Sequence, residues 1–109
     1  MNAVIDFTNL HEMTDGDKAL EQELFEEFLR TCDGFMERLD GLAEGSGLEW
    51  RTTMHAFKGV ALNLGAYQLG ALCTSGQDAF EADTAHKRAM LQELHAAYAH
   101  VKQHIAALV

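Results

Sequence analysis

Proline is absent from this chain of 109 residues. The sequence therefore lacks the residue that most strongly breaks a helix interior, and long helices are open to it. Cysteine is scarce, at two, too few for the dense cross-linking of small secreted domains. Cations are also in short supply. Lys and Arg total 8 against 17 Asp and Glu, a formal net charge of −9. Phosphate backbones are gripped by clustered Lys and Arg, so a nucleic-acid partner is disfavoured, as is an anionic membrane surface. The acidity instead suits partners with a basic or apolar face. No run of about twenty apolar residues is present, so no segment is expected to span a bilayer. Met1-Asn2-Ala3-Val4-Ile5-Asp6 has no basic stretch leading into an apolar one and is not expected to act as a secretory signal.

Apolar residues make up 48% of the chain, including six Phe, one Trp and two Tyr. That is enough for the core of one domain, expected over residues 1–109. Cys32 and Cys73 lie within apolar helical patterns and read as buried, reduced thiols of a cytoplasmic protein. The missing signal weighs against the alternative, a disulfide in a secreted domain.

The apolar spacing predicts an all-α fold. A short helix is expected over 6–13, with Asp6 near its start and Phe7 and Leu10 inward. Thr14-Asp15-Gly16-Asp17 reads as a break and a new N-cap. From about 17 to 43 a stripe runs through Leu20, Leu24, Phe25, Phe28, Leu29, Cys32, Phe35, Met36, Leu39 and Leu42, while Glu21, Glu23, Glu26, Glu27, Arg30 and Asp33 fill the other side. Glu44-Gly45-Ser46-Gly47 ends this helix and opens another over 48–64. There Trp50, Met54, Phe57, Ala61 and Leu64 step by four, three, four and three, the seam of a bundle helix. Gly65-Ala66 makes a turn. A fourth helix over 67–81 should bury Leu69, Leu72, Cys73, Ala79 and Phe80. Asp83-Thr84 caps a fifth over 85–107, with Met90, Leu91, Leu94, Tyr98, Val101, Ile105 and Leu108 inward. Four long helices with short links give an up-down-up-down four-helix bundle, and the short N-terminal helix caps one end.

The 48–64 helix carries the chemistry. Opposite its core seam lie Leu48, Arg51, Thr52, His55, Lys58, Gly59 and Leu62. His55 therefore points away from the core. Residues three and four apart are neighbours on a helix surface, so Lys58 and Gly59 both sit one turn beyond it. A helix-interior glycine costs roughly 1 kcal/mol relative to alanine, which implies a use other than helix stability. A nucleophile, a cation, a notch and two exposed leucines describe a docking face better than a solvated one.

His55-Ala56-Phe57-Lys58-Gly59-Val60-Ala61-Leu62-Asn63-Leu64-Gly65-Ala66 closely resembles the signature of histidine-containing phosphotransfer (HPt) domains. The signature has lysine at plus three, glycine at plus four, small residues next, and a Leu-Gly pair at plus nine and ten. Leu69, Leu72 and Cys73 continue the likeness. Val60 departs from it, since serine or alanine is common there. The resemblance implies a helical-bundle relay that takes a phosphoryl group from the aspartate of one receiver domain and passes it to another. It makes His55 the phospho-accepting residue. Lys58, with help from Arg51, would balance the added charge, and Gly59 would admit the partner. Leu48, Arg51, Thr52, Gly59 and Leu62 would form the docking face. In some family members a glutamine on the following helix holds one imidazole nitrogen. Gln77 falls at a comparable position, although it equally fits an ordinary surface glutamine.

The implied partners are response-regulator receiver domains and a hybrid sensor histidine kinase. The receiver would bring Mg²⁺, and this chain itself would bind no cofactor or metal. It has no Gly-rich phosphate loop or ATP motif, so it is expected to be a phosphoryl carrier without kinase activity of its own. Met1 and the complete-looking pattern favour a stand-alone, monomeric relay over a fragment of a larger kinase. A phosphate-independent helical adaptor is the alternative from another class. His100 and His104 are four apart, a spacing that can hold a metal, but a solvated helix face is the better reading, with His11, His86 and His95 scattered.

Overall fold

The computed structural model describes residues 5–108. Five helices follow in order: α1 (Thr8–Thr14), α2 (Lys18–Leu42), α3 (Gly47–Leu64), α4 (Tyr67–Asp78) and α5 (Thr84–Ala106). The fold is all-α, a helical bundle with a short extra N-terminal helix. Each of the three longest helices begins at an N-cap side chain. Asp17 accepts from Leu20 N at 3.1 Å, Ser46 from Glu49 N at 3.2 Å and Asp83 from His86 N at 2.8 Å. These bonds satisfy amide groups that have no partner within the helix.

The bundle closes as a ring. α2 packs on α3, α3 on α4, α4 on α5 and α5 back on α2, while α1 lies across α2 and α3. The core seam of α3 is buried throughout, as are Phe25, Phe28, Cys32, Met36 and Leu39 of α2 and Leu91, Leu94, Tyr98, Val101 and Ile105 of α5. Both cysteines are free and fully buried. Burial raises both thiols, Cys73 to about 12, because a thiolate would lose its solvation there.

Polar contacts fix α5 on α2. The Tyr98 hydroxyl donates to Asp33 Oδ1 at 2.7 Å, and Lys102 Nζ reaches the same oxygen at 3.5 Å. His95 pairs with Asp40 at 3.0 Å.

Several boundaries and faces differ from the sequence reading. α1 starts at Thr8, because the Asp6 carboxylate accepts from Thr8 N and so lies outside the helix it opens. α4 ends at Asp78, three residues short of 81. Its end turns at Ala79, whose N–H reaches back to Ser75 and Gly76 carbonyls, so Ala79 and Phe80 are only half-buried loop residues. Leu20 and Leu108 are exposed, and Leu72 and Met90 only half-buried.

Glu21 is the main reversal. The stripe places it on the polar side of α2, yet it is only 8% exposed. Two α1 residues reach the same carboxylate oxygen, His11 Nδ1 at 2.7 Å and Thr14 Oγ1 at 2.8 Å. These bonds, His11's first, hold its carboxyl below the usual range. α1 therefore docks through bonds to a buried carboxylate as well as through its own buried Leu10.

Candidate functional site

The rotation of α3 decides what it shows to solvent. With Trp50, Met54, Phe57, Ala61 and Leu64 buried, His55, Gly59 and Leu62 face outward. Phe35 of α2 stacks on Phe57 at 5.3 Å between centroids and holds that face beside α2. Gly65 ends the helix at φ 100 and donates to Ala61 and Leu62 carbonyls. Only glycine adopts that left-handed backbone readily. A Cβ there would also meet Asp6 O at 2.0 Å, so the turn has room for no side chain.

α4 lies unusually close to α3. A Cβ on Gly70 would stand 2.6 Å from Leu62 Cδ2, and one on Gly76 2.6 Å from Met54 Cε. Gly76 lies in the last turn of α4, where carbonyls lack helical partners. Its oxygen accepts the Trp50 indole N–H at 2.8 Å. This bond fixes α4 along α3, and Gln77 is the next residue. Gln77 Oε1 lies 3.3 Å from His55 Nδ1, the long end of hydrogen-bond range.

With the amide oxygen of Gln77 facing the ring, the contact fits one tautomer. A neutral imidazole with Nδ1–H donating to the Gln77 oxygen keeps its lone pair on Nε2. His55 is exposed. Lys58 is half-buried and pairs with no carboxylate among the described residues. Gly59 opens onto free space, with no atom within 4 Å of a would-be Cβ. Leu48 is 67% and Leu62 38% exposed, and Thr52 is exposed beside them. Arg51 is exposed too, and its guanidinium lies 5.1 Å over the Phe80 ring. The structure thus gathers His55, Lys58, Gly59 and Gln77 at one place.

The seam between α2 and α3 was not anticipated. An apolar groove of about 260 Å³ is walled by Leu10 and Met13 of α1, Leu24 and Phe28 of α2 and Val60 of α3. It shares Thr31 with a recess of about 510 Å³ that runs past Gly34 to Arg38. Arg38 also borders a recess of about 320 Å³ lined by Leu48 and Thr52. Periodicity marks which side of a helix is buried but not how wide the gap between two helices is, so these hollows had no sequence signal. Gly76 did have one, as it follows Leu69 and Cys73 at core spacing.

His104 Nδ1 lies 2.9 Å from the His100 carbonyl oxygen and donates to its own helix. No group of three or more His, Cys, Asp or Glu converges on a point among the described residues, and none of the described helices is long and apolar enough to cross a membrane.

The family model for the Hpt domain matches residues 23–108, from early α2 to just past the end of α5. α1 lies outside the match. No curated protein and no solved structure matches the chain at a significant level.

Proposed function

This chain belongs to the Hpt domain family and has a phosphotransfer role in two-component signalling, and from that premise we propose that His55 Nε2 is the atom that carries the phosphoryl group. The observation that carries the proposal is the exposed imidazole whose Nδ1 is held by Gln77 Oε1 at 3.3 Å. In the forward step the Nε2 lone pair attacks the phosphorus of a receiver's aspartyl phosphate. An N–P bond forms, the acyl P–O bond breaks, and the aspartate leaves as a carboxylate. The ring gains positive charge as it gives up electrons, and the Gln77 oxygen stabilises the Nδ1–H that bears part of it. The reverse step delivers the group to a second receiver.

Lys58 supplies the compensating charge. A phosphoryl group brings nearly two negative charges to a protein already at −9. The helix dipole adds little this far from either end of α3. The receiver brings the acceptor aspartate and Mg²⁺ for in-line transfer. A hybrid sensor kinase stands upstream, and the relay works in the cytoplasm. Leu48, Thr52, Gly59 and Leu62 form the receiver's seat.

The test is incubation with a phosphorylated receiver. The protein should acquire phosphate that is labile in acid and stable in base, and His55→Gln should abolish labelling while keeping its helical content. Labelling that survives the substitution overturns the assignment. Receiver binding without labelling would favour a phosphate-independent adaptor.

A further inference from the structure

Gln77 sits where a helix is least secure. It is the last residue but one of α4, which is only 12 residues long and has no side-chain cap at its start. Helices this short are marginal on their own, and helix ends fray. A group that orients His55 from that position needs an anchor in the rest of the fold.

The anchor is one residue away. The Gly76 carbonyl and the Gln77 N–H belong to one planar peptide unit. Holding the Gly76 oxygen therefore holds the plane from which Gln77 departs. Trp50, near the start of α3, donates its indole N–H to that oxygen at 2.8 Å. Ala79 N–H also reaches the oxygen, but at 3.2 Å and shared with the Ser75 carbonyl. The indole is itself pinned. It is fully buried, and Lys87 Nζ of α5 lies 5.1 Å over its ring, within cation–π range. Phenylalanine would also fill core space here, but it has no N–H to give the carbonyl.

We infer that Trp50 is a positioning residue for His55: its indole N–H, through the Gly76–Gln77 peptide, sets where the Gln77 amide oxygen meets the imidazole. This rests on the reading that Gln77 holds His55 for transfer. Trp50 lies on the buried side of α3 and His55 on the exposed side, and two hydrogen bonds join them by way of α4.

The experiment reads 15N imidazole shifts of His55 without any receiver, and transfer rates with a phosphorylated one, in W50F, Gln77→Ala and the double variant. W50F should move the His55 shifts in the direction that Gln77→Ala does. It should slow transfer on the order of tenfold, within the loss that about 1 Å of misplacement brings. In the Gln77→Ala background W50F should change neither readout further. Ile105→Ala is the control for general loosening. It removes a buried side chain eighteen residues along α5 from Lys87, about 27 Å away, and should leave the His55 shifts unmoved. Should W50F not fold, the single tryptophan can be replaced throughout by β-(3-benzothienyl)alanine, which keeps the ring shape and puts sulfur in place of the N–H. His55 shifts that are unchanged by loss of the N–H overturn the inference, while Gln77 and phosphotransfer stand. So do effects that add in the double variant, or equal shifts in Ile105→Ala. If Gln77→Ala itself leaves the shifts unchanged, the reading of Gln77 fails and the inference with it. If the shifts behave as expected but the wild-type protein accepts no phosphate, the positioning stands and the role of His55 fails.

Discussion

Gly59→Ala separates what α3 needs for stability from what a partner needs. Gly59 lies in the interior of α3, and a Cβ there has no neighbour within 4 Å. No steric cost offsets the gain in helix propensity, which is about 0.8–1.0 kcal/mol for glycine to alanine. For a domain of this size that gain should raise Tm by about 4–8 °C. The partner meets the opposite effect. Transfer requires reacting atoms about 3–3.5 Å apart, and a displacement of about 1 Å can cost on the order of 100-fold. A methyl group one turn beyond His55 should slow transfer, and the longer side chain of Gly59→Met should slow it by roughly that factor. Both variants should melt above wild type. The assay pairs thermal unfolding followed by circular dichroism with transfer rates from a phosphorylated receiver. A Gly59→Ala protein that is stabilised yet transfers at the wild-type rate would refute the idea that the notch serves the partner. One that is not stabilised would refute the open environment of Gly59.

Three further outcomes follow from particular contacts. Gln77→Ala should leave stability within about 0.5 kcal/mol of wild type, as expected of a substitution away from the core, while 15N imidazole shifts of His55 lose the Nδ1–H signature and transfer slows; unchanged shifts would remove Gln77 from the site. Tyr98→Phe loses the bond that ties α5 to Asp33 of α2 and should cost about 1 kcal/mol in urea unfolding. Burial first, and that bond second, push the Tyr98 phenol well above its ordinary value, so its absorbance should not titrate in the usual tyrosine range. Glu21 has a lowered carboxyl, so it binds its proton less readily folded than unfolded. Its contribution is present above its ordinary value of 4.5 and is lost as pH falls below it. Glu21→Gln should flatten the stability profile in that acid range, and an unchanged profile would show that His11 and Thr14 do not hold the carboxylate.

Helix identity was legible because the helices carry clear stripes and the three longest also begin at a side-chain cap. Asp17, Ser46 and Asp83 mark starts that the structure keeps. The outward direction of His55 followed from the α3 seam alone. Other features were not legible, for one shared physical reason. Glu21 is buried by two residues of another helix, and Arg51 turns to Phe80 across the α4–α5 link. Each depends on which elements meet, whereas a periodic pattern reports only one element at a time. The approach of α4 to α3 was half legible: Gly76 stands at core spacing, but its bond to Trp50 appears only when the two helices are placed together.

The central claim is that one nitrogen of one histidine carries the phosphate. Its most direct measurement is 31P and 15N NMR of the protein after transfer from a phosphorylated receiver, with the modified residue mapped by mass spectrometry. The account predicts a single phosphoramidate on His55, bonded through Nε2, with the proton retained on Nδ1. Phosphate on another of the six histidines, or on Nδ1 of His55, would contradict it.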